Sequence, residues 1–121
     1  MNKNPIHDWM INHLKQKLSR EYDEVKINLE GEQKHEFKGH YPDLILSNHG
    51  LELAVVEVET IEGITSEKAD EWSRMVGTGP GVKLIIMIPR ASKAKVIDLV
   101  WKKGIADRTA VGSYDLNVQM P

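Results

Sequence analysis

Residues 51–60 have the sequence LELAVVEVET, an apolar and β-branched run that predicts a strand. Successive side chains of a strand point to opposite faces, and both faces of this one are apolar as far as Val56. We therefore expect a strand that is covered on both sides. Glu57 and Glu59 share one of these covered faces, about 7 Å apart along the strand. The segment thus predicts that two carboxylates are carried to one end of a sheet.

The patterns on either side of this strand predict a mixed sheet with helices on both faces. A turn signal, Asn48-His49-Gly50, joins it to the preceding strand as an antiparallel hairpin. The run 82–88 predicts a buried strand that lies parallel beside it after a helical crossover. In chain order we expect a helix Pro5 to Tyr22, strands at 24–30, from 43 and at 51–60, a helix from Thr65 or Ser66 to Val76, a strand 82–88, a helix from Ser92 to Lys103 and an edge strand 111–118.

Length and composition are consistent with one α/β domain over residues 1–121, with a sheet of four or five strands. The chain has 40% hydrophobic and 28% charged residues, which favours a soluble globule. Its net charge of −2 excludes a globally basic nucleic-acid binder or a polybasic membrane protein. The absence of cysteine excludes disulfides, thiolate metal sites and cysteine nucleophiles. With neither a signal segment nor a membrane span in the pattern, we expect a cytoplasmic protein.

Asp43 is expected to lie beside the two carboxylates. It begins the strand before the 48–50 turn, so in an antiparallel hairpin it lies opposite about residues 55–57. Asp43, Glu57 and Glu59 then converge at one end of the sheet. Three unpaired buried anions are very costly, so either some of them face solvent or a cation lies among them. Hard divalent cations such as Mg²⁺ or Mn²⁺ bind carboxylate oxygens and retain waters for a phosphate substrate.

The motif PD at 42–43, followed by EVE at 57–59 in this order of elements, resembles the PD-(D/E)XK nuclease superfamily. The resemblance covers about residues 5–90, and the chain looks like a small member with an ExE variant. It implies a restriction-endonuclease-like αβββαβ core and an endonuclease that hydrolyses DNA phosphodiesters with Mg²⁺ or Mn²⁺. It also implies a homodimer, since nucleases of this fold pair two active sites to cut two strands. The chain leaves no room for a target-recognition domain, so structure-specific or accessory cleavage is favoured.

The resemblance also implies roles for the acids. Asp43 and Glu57 would bind the metal. Glu59 stands where the superfamily usually has a lysine that orients or activates the attacking water. We expect Glu59 to help bind the metal or to orient this water.

Other residues are candidates for the parts that the motif lacks. Lys68, near the start of the following helix, is the proposed substitute for the missing lysine, and Lys83 on the next strand is a second candidate. Glu21, near the end of the first helix, is a candidate metal ligand, since many members place a glutamate there. His40 precedes the PD motif and is interpreted as a loop histidine that could contact metal or phosphate. The other histidines lack the spacing of a zinc hydrolase: His7, His13, His35 and His49.

Other hypotheses remain open. The glutamates could emerge into solvent while Asp43 caps a turn. The chain would then be a catalytically inactive nuclease-fold module for binding or assembly. A metal-dependent hydrolase of small phosphoesters is a third class.

Two helix faces complete the predictions. The first helix is expected to bury one face, made of Ile6, Trp9, Met10, His13, Leu14, Lys17 and Leu18. All three tryptophans are expected in the core rather than as base-stacking platforms: Trp9, Trp72 and Trp101. Basic residues give the last helix a positive edge that could meet a phosphate backbone or simply face solvent: Arg90, Lys93, Lys95, Lys102, Lys103 and Arg108.

Overall fold

A computed structural model describes residues 5–77 and 81–115 as a five-stranded sheet with three helices. Within these residues every helix is too short or too polar to cross a lipid bilayer. The elements are α1 (Pro5–Leu18), β1 (Glu24–Ile27), β2 (Leu44–Asn48), β3 (Leu51–Val58), α2 (Ser66–Val76), β4 (Lys83–Pro89), α3 (Lys93–Lys102) and β5 (Thr109–Tyr114). Short 3₁₀ turns lie at Ile61–Gly63, Arg90–Ser92 and Ala106–Arg108.

The strands lie side by side in chain order, β1-β2-β3-β4-β5. β1, β2 and β3 form an antiparallel meander, and β4 and β5 continue the sheet in parallel. The helices α2 and α3 connect the parallel strands and pack on one face, whereas α1 packs on the other. The predicted α/β class, with a mixed sheet and helices on both faces, is confirmed.

The hairpin of β2 and β3 aligns the residues that matter for the site. Its turn uses the left-handed backbone of His49 (φ 53°) and Gly50 (φ 77°), as the turn signal predicts. Beyond a bulge near the turn, Leu44 pairs with Val56. One further step along the same register brings residues 43 and 57 opposite each other. The hairpin therefore sets the pairing of the two acids by short-range geometry.

Several predicted boundaries were wrong. α1 ends at Leu18 rather than Tyr22, and the chain then turns sharply into β1. β1 ends at Ile27 rather than residue 30, and the side chain of the buried Asn28, the next residue, bonds a loop. β5 begins at Thr109, two residues earlier than expected. The last part of its predicted range, 116–118, lies outside the described residues.

Asn28 holds the loop that delivers Asp43. Its Nδ2 donates to the carbonyl oxygens of His35 and Pro42, both at 2.8 Å. Its Oδ1 accepts from the backbone N–H groups of Lys34 and His35, both at 2.9 Å. Its backbone N–H donates to the Asp43 carbonyl at 3.0 Å. The buried amide uses all four of its side-chain hydrogen-bonding positions, and so ties both ends of the loop to β1.

The buried face of α1 differs from the predicted one. The residues buried against the sheet are Met10, Ile11 and Leu14. Trp9, expected in the core, is 55% exposed. The apolar residues of this helix cover a broad arc, so their spacing is consistent with more than one buried face. In the structure the face around Ile11 packs against β2 and β3.

Only one of the three tryptophans lies in the core. Trp72 on α2 is fully buried, as predicted, but Trp101 on α3 is 71% exposed. α3 packs through Val96 and Val100, which are four residues apart and lie on one face. Trp101 follows one residue later, about 100° around the helix, and therefore points outward.

The Asn28→Ala substitution is expected to lower the free energy of unfolding by about 3 kcal/mol or more. It removes four hydrogen bonds and leaves buried backbone groups without partners. Urea unfolding measures the loss. The matched control is Asn12→Ala, since the exposed Asn12 side chain makes one bond, to the Asp8 carbonyl. A loss no larger than the control's would show that water replaces the Asn28 bonds.

Candidate functional site

The end of β3 buries two carboxylates. The side chains of Glu57 and Glu59 are only 5% and 8% exposed. Glu57 follows Val55 on the face that packs against α2, which continues the apolar pattern of the strand. The alternative in which both glutamates emerge into solvent is therefore wrong.

Asp43 completes a compact acid cluster. Its Oδ2 accepts a hydrogen bond from the backbone N–H of Val58 at 2.7 Å. Its own backbone N–H lies 3.4 Å from Oε2 of Glu57. The Asp43 carboxylate is thus fixed beside that of Glu57 at the end of the hairpin.

Lys68 reaches this cluster from α2. Thr65 caps the helix, since its Oγ1 accepts from the Lys68 N–H at 3.0 Å, and this bond fixes Lys68 in the first turn. The Lys68 Nζ lies 4.0 Å from Glu57 Oε1 and 3.9 Å from Glu59 Oε1. It lies 3.3 Å from Glu71 Oε2, one turn further along α2. The structure thus brings Lys68 together with Asp43 and both glutamates.

The second candidate lysine lies elsewhere. Lys83 is exposed at the start of β4, where it pairs with Ala54. Three residue steps along the strand, about 10 Å, separate that position from Glu57. Of the two lysines, only Lys68 approaches the acids.

His7 of α1 contacts the cluster from the other face of the sheet. Its Nε2 lies 3.1 Å from Asp43 Oδ2, and its Nδ1 lies 3.2 Å from Asp8 Oδ1. The sequence interpretation missed this residue, although a signal exists. His7 has the helical spacing of Ile11, Leu14 and Leu18, which is the face that α1 turns to the sheet.

The structure does not bring Glu21 to the cluster. Glu21 is exposed in the turn after α1, where its N–H donates to the Leu18 carbonyl. His7, in the first turn of the same helix, is the α1 residue that contacts Asp43. The two ends of this 14-residue helix are about 20 Å apart.

Burial changes the protonation of the glutamates. It raises the pKa of Glu57 well above its ordinary value, and the charge of Asp43 raises it further against the opposing effect of Lys68. Burial also raises the pKa of Glu59 to about 7, again partly offset by Lys68. Without a metal, burial therefore favours the protonated forms of both glutamates.

The two cations of the site respond in the opposite way. Burial alone would lower the pKa of Lys68, but the charges of Glu57, Glu59 and Glu71 outweigh it and raise that pKa. Burial would likewise lower the pKa of His7, but the hydrogen bond and charge of Asp43 prevail and raise it to about 9. Both residues are consequently positively charged at neutral pH.

One oxygen at the site has no partner. Within residues 5–77 and 81–115, Oε2 of Glu59 is buried and accepts no hydrogen bond. The backbone of the same residue is fully used, because its N–H donates to the Met87 carbonyl and its carbonyl accepts from the Tyr114 hydroxyl at 2.7 Å. A buried carboxylate oxygen without a donor favours a cation or a proton at that position.

A second acidic group adjoins the first through His7. Donor atoms of His7, Asp8 and Glu30 all lie within 4.8 Å of one another, and the three residues are partly buried. Asp8 Oδ1 also accepts from the Glu30 N–H at 2.9 Å. This group is near the predicted cluster but shares none of its carboxylates.

Two further predictions concern residues around the cluster. His40 lies 4.0 Å from Glu71 and therefore borders the site through that carboxylate. On the expected positive edge of α3, four cations are paired with acids. Lys102 pairs with Asp98, Lys103 with Asp70, Arg90 with Asp115 and Arg108 with Asp107.

Comparisons of the chain with protein-family models, with curated proteins and with solved structures find no match.

In metal-free buffer, the free energy of unfolding is expected to fall as the pH rises from about 4.5 to 7. Over this range the unfolded chain releases the Glu59 proton while the folded chain retains it. The contribution of the raised Glu59 pKa to the free energy of unfolding is complete below the ordinary pKa of 4.5. It is lost above about pH 7. Its size is about 3 kcal/mol.

Glu59→Gln removes this contribution. Urea unfolding at several pH values in EDTA should therefore show a weaker decline in the variant than in the wild type. Glu52→Gln, at an exposed position of β3, is the control and should keep the wild-type decline. Equal declines in the wild type and Glu59→Gln would contradict the raised pKa.

Proposed function

We propose that the protein is a Mg²⁺-dependent DNA phosphodiesterase, an endonuclease with the restriction-endonuclease-like fold. The observation that carries this proposal is the convergence of Asp43, Glu57, Glu59 and Lys68 at the carboxyl end of β3. These are the residue types, on the elements, that the PD-(D/E)XK resemblance implies, with Lys68 in place of the motif lysine. Mn²⁺ would serve as well, because both ions prefer oxygen ligands.

The residues of the site fit such a metal. Three carboxylates meet there, and Oε2 of Glu59 is buried with no hydrogen-bond donor among the described residues. Asp43 and Glu57 would hold the ion, and Glu59 would help to bind it. The bound ion would polarise the phosphodiester and lower the pKa of a coordinated water.

Lys68 acts as a cation in this proposal, not as a base. The surrounding carboxylates stabilise its charge, so that it retains its proton at neutral pH. Its Nζ is partly exposed, whereas the neighbouring glutamates are buried. It can therefore donate to a phosphate oxygen or to the attacking water at the solvent side of the cluster.

Two other residues position the machinery. His7 donates from Nε2 to Asp43 Oδ2, which orients that carboxylate. Glu59, through its unpartnered oxygen, can accept a hydrogen bond from the attacking water and orient it.

DNA is the proposed partner, and two copies of the chain would supply the two active sites needed to cut both strands. The site itself is acidic, so DNA must be attracted by other parts of the surface or by the metal.

Glu57→Gln is expected to lower the rate of DNA nicking at least about a hundredfold, because it removes a carboxylate that holds the metal. The assay incubates supercoiled plasmid or branched DNA with millimolar Mg²⁺ or Mn²⁺ and with EDTA. Glu52→Gln, an exposed glutamate on the same strand, is the matched control and should nick at the wild-type rate. Lys68→Met should lose about a hundredfold as well.

If the wild type does not nick DNA in either metal, or if Glu57→Gln and Glu52→Gln nick it equally, the proposed function is wrong.

A specific observation supports the alternative of a catalytically inactive module for binding or assembly. The acids are already paired within the chain, since Lys68 and His7 lie among them. Such internal pairing can hold the sheet together with no ion present.

Thermal unfolding with added Mn²⁺ separates the two functions. A metal that binds the folded chain raises its midpoint temperature, and the increase grows with Mn²⁺ concentration. We expect the increase in the wild type and in Glu52→Gln, and its loss in Glu57→Gln. The same midpoint with and without millimolar Mn²⁺ would favour the inactive module.

A further inference from the structure

The outward face of α1 carries a preformed aromatic pair. The rings of Trp9 and His13 are stacked with their centroids 5.2 Å apart and their planes within 8°. Both side chains face solvent, and Trp9 is 55% exposed. The pair therefore presents a flat aromatic surface to solvent.

Cations continue the same face toward the end of the helix. Lys17 lies one turn beyond His13, and Arg20 follows in the turn after α1. These residues and Gln16 line a surface depression of about 370 Å³. Among the residues that the structure describes, Lys17 and Arg20 form no ion pair with an acid. We call the face formed by Ile6, Trp9, His13, Lys17 and Arg20 the α1 stripe; it contains no carboxylate.

The other end of the α1 stripe reaches the candidate site. Ile6 lines a cavity of about 410 Å³ together with Thr60 and Tyr114. Thr60 follows Glu59 directly, and the Tyr114 hydroxyl donates to the Glu59 carbonyl. The α1 stripe is therefore continuous with the surface next to the acid cluster.

We infer that the α1 stripe binds single-stranded DNA, with a base stacked on Trp9 and backbone phosphates at Lys17 and Arg20. Aromatic rings interleaved with cations are the features by which proteins hold unpaired strands. Stacking requires an exposed base face, which a duplex hides. That the bound strand is DNA rests on the proposed function. The inference narrows the substrate of the proposed nuclease to single-stranded DNA or to branched DNA with single-stranded segments.

Charge argues against a second copy of the chain as the occupant. A two-fold contact sets the same surface of each copy against the other. The cations of one α1 stripe would then meet cations or aromatic and apolar side chains but no acid, and their burial would be uncompensated. A phosphate backbone supplies the missing negative charge.

The test measures binding without cleavage. The full-length protein is titrated in EDTA against a fluorescein-labelled oligothymidylate of about 15 nucleotides, and anisotropy gives Kd. Trp9→Ala should raise Kd about tenfold or more, whereas Trp9→Phe, which keeps a stacking ring, should recover most of the affinity. Trp101→Ala is the matched control, because Trp101 is also exposed but lies on α3.

Salt dependence tests the cations. Lys17→Gln with Arg20→Gln should reduce the slope of log Kd against log salt by about 1.4, which corresponds to two phosphate contacts of a single strand. Lys93→Gln with Lys95→Gln, on the exposed face of α3, is the control and should leave the slope unchanged.

Several outcomes would overturn the inference. The first is that Trp9→Ala and Trp101→Ala bind the oligothymidylate with equal affinity. The second is that a duplex binds as tightly as the single strand. The third is that the two double variants reduce the slope of log Kd against log salt equally. A dimer in sedimentation that Trp9→Ala dissociates would identify the α1 stripe as a self-interface instead. The inference and the proposed function fail separately. Binding of DNA without nicking in either Mg²⁺ or Mn²⁺ refutes the nuclease alone. Nicking by Trp9→Ala with an unchanged Kd refutes the role of the α1 stripe alone.

Discussion

Burying two carboxylates at the end of an apolar strand, with that of Asp43 beside them, is the constraint on which the arrangement of this protein depends. Glu57 and Glu59 continue the buried face of β3, and the hairpin sets Asp43 against them. Uncompensated anions at such depth would cost more than the chain's whole stability. Compensation comes from both sides of the sheet, with Lys68 from α2 and His7 from α1. The two helix layers are thus linked to the acids by charge as well as by apolar packing.

How much of the site the sequence could predict depends on how far apart in the chain the interacting residues lie. The register between Asp43 and Glu57 depends on a short turn and a ladder, which are local, so a hairpin with its turn at 48–50 predicts it. The approach of Lys68 depends on the cap of α2, which is also local, and the sequence indicated both cap and lysine. Fold class followed from the same periodicities, because alternation and helical spacing are properties of short segments.

The orientation of α1 could not be predicted in this way. Its apolar residues cover a broad arc, and only packing against a sheet formed by distant residues selects the face around Ile11. Because this orientation was not predicted, Trp9 was expected in the core and the contact of His7 with Asp43 was missed. The end of β1 failed for a similar reason, since the bonds of Asn28 to the loop before Asp43 join residues 6 to 14 positions apart.

The rotation of α1 has two consequences that cannot be separated. His7 and Trp9 are two residues apart, so their side chains point about 200° apart around the helix axis. The orientation that brings His7 to Asp43 must therefore turn Trp9, and with it His13 and Lys17, toward solvent. The contact of His7 with the acid cluster and the positive, aromatic outer face of α1 therefore result from one packing choice. The net charge of −2 conceals this division, since the acids lie within the sheet's end and the cations on the outside of the helix. If the α1 stripe binds DNA as inferred, its cations attract this polyanion whether or not a metal is bound.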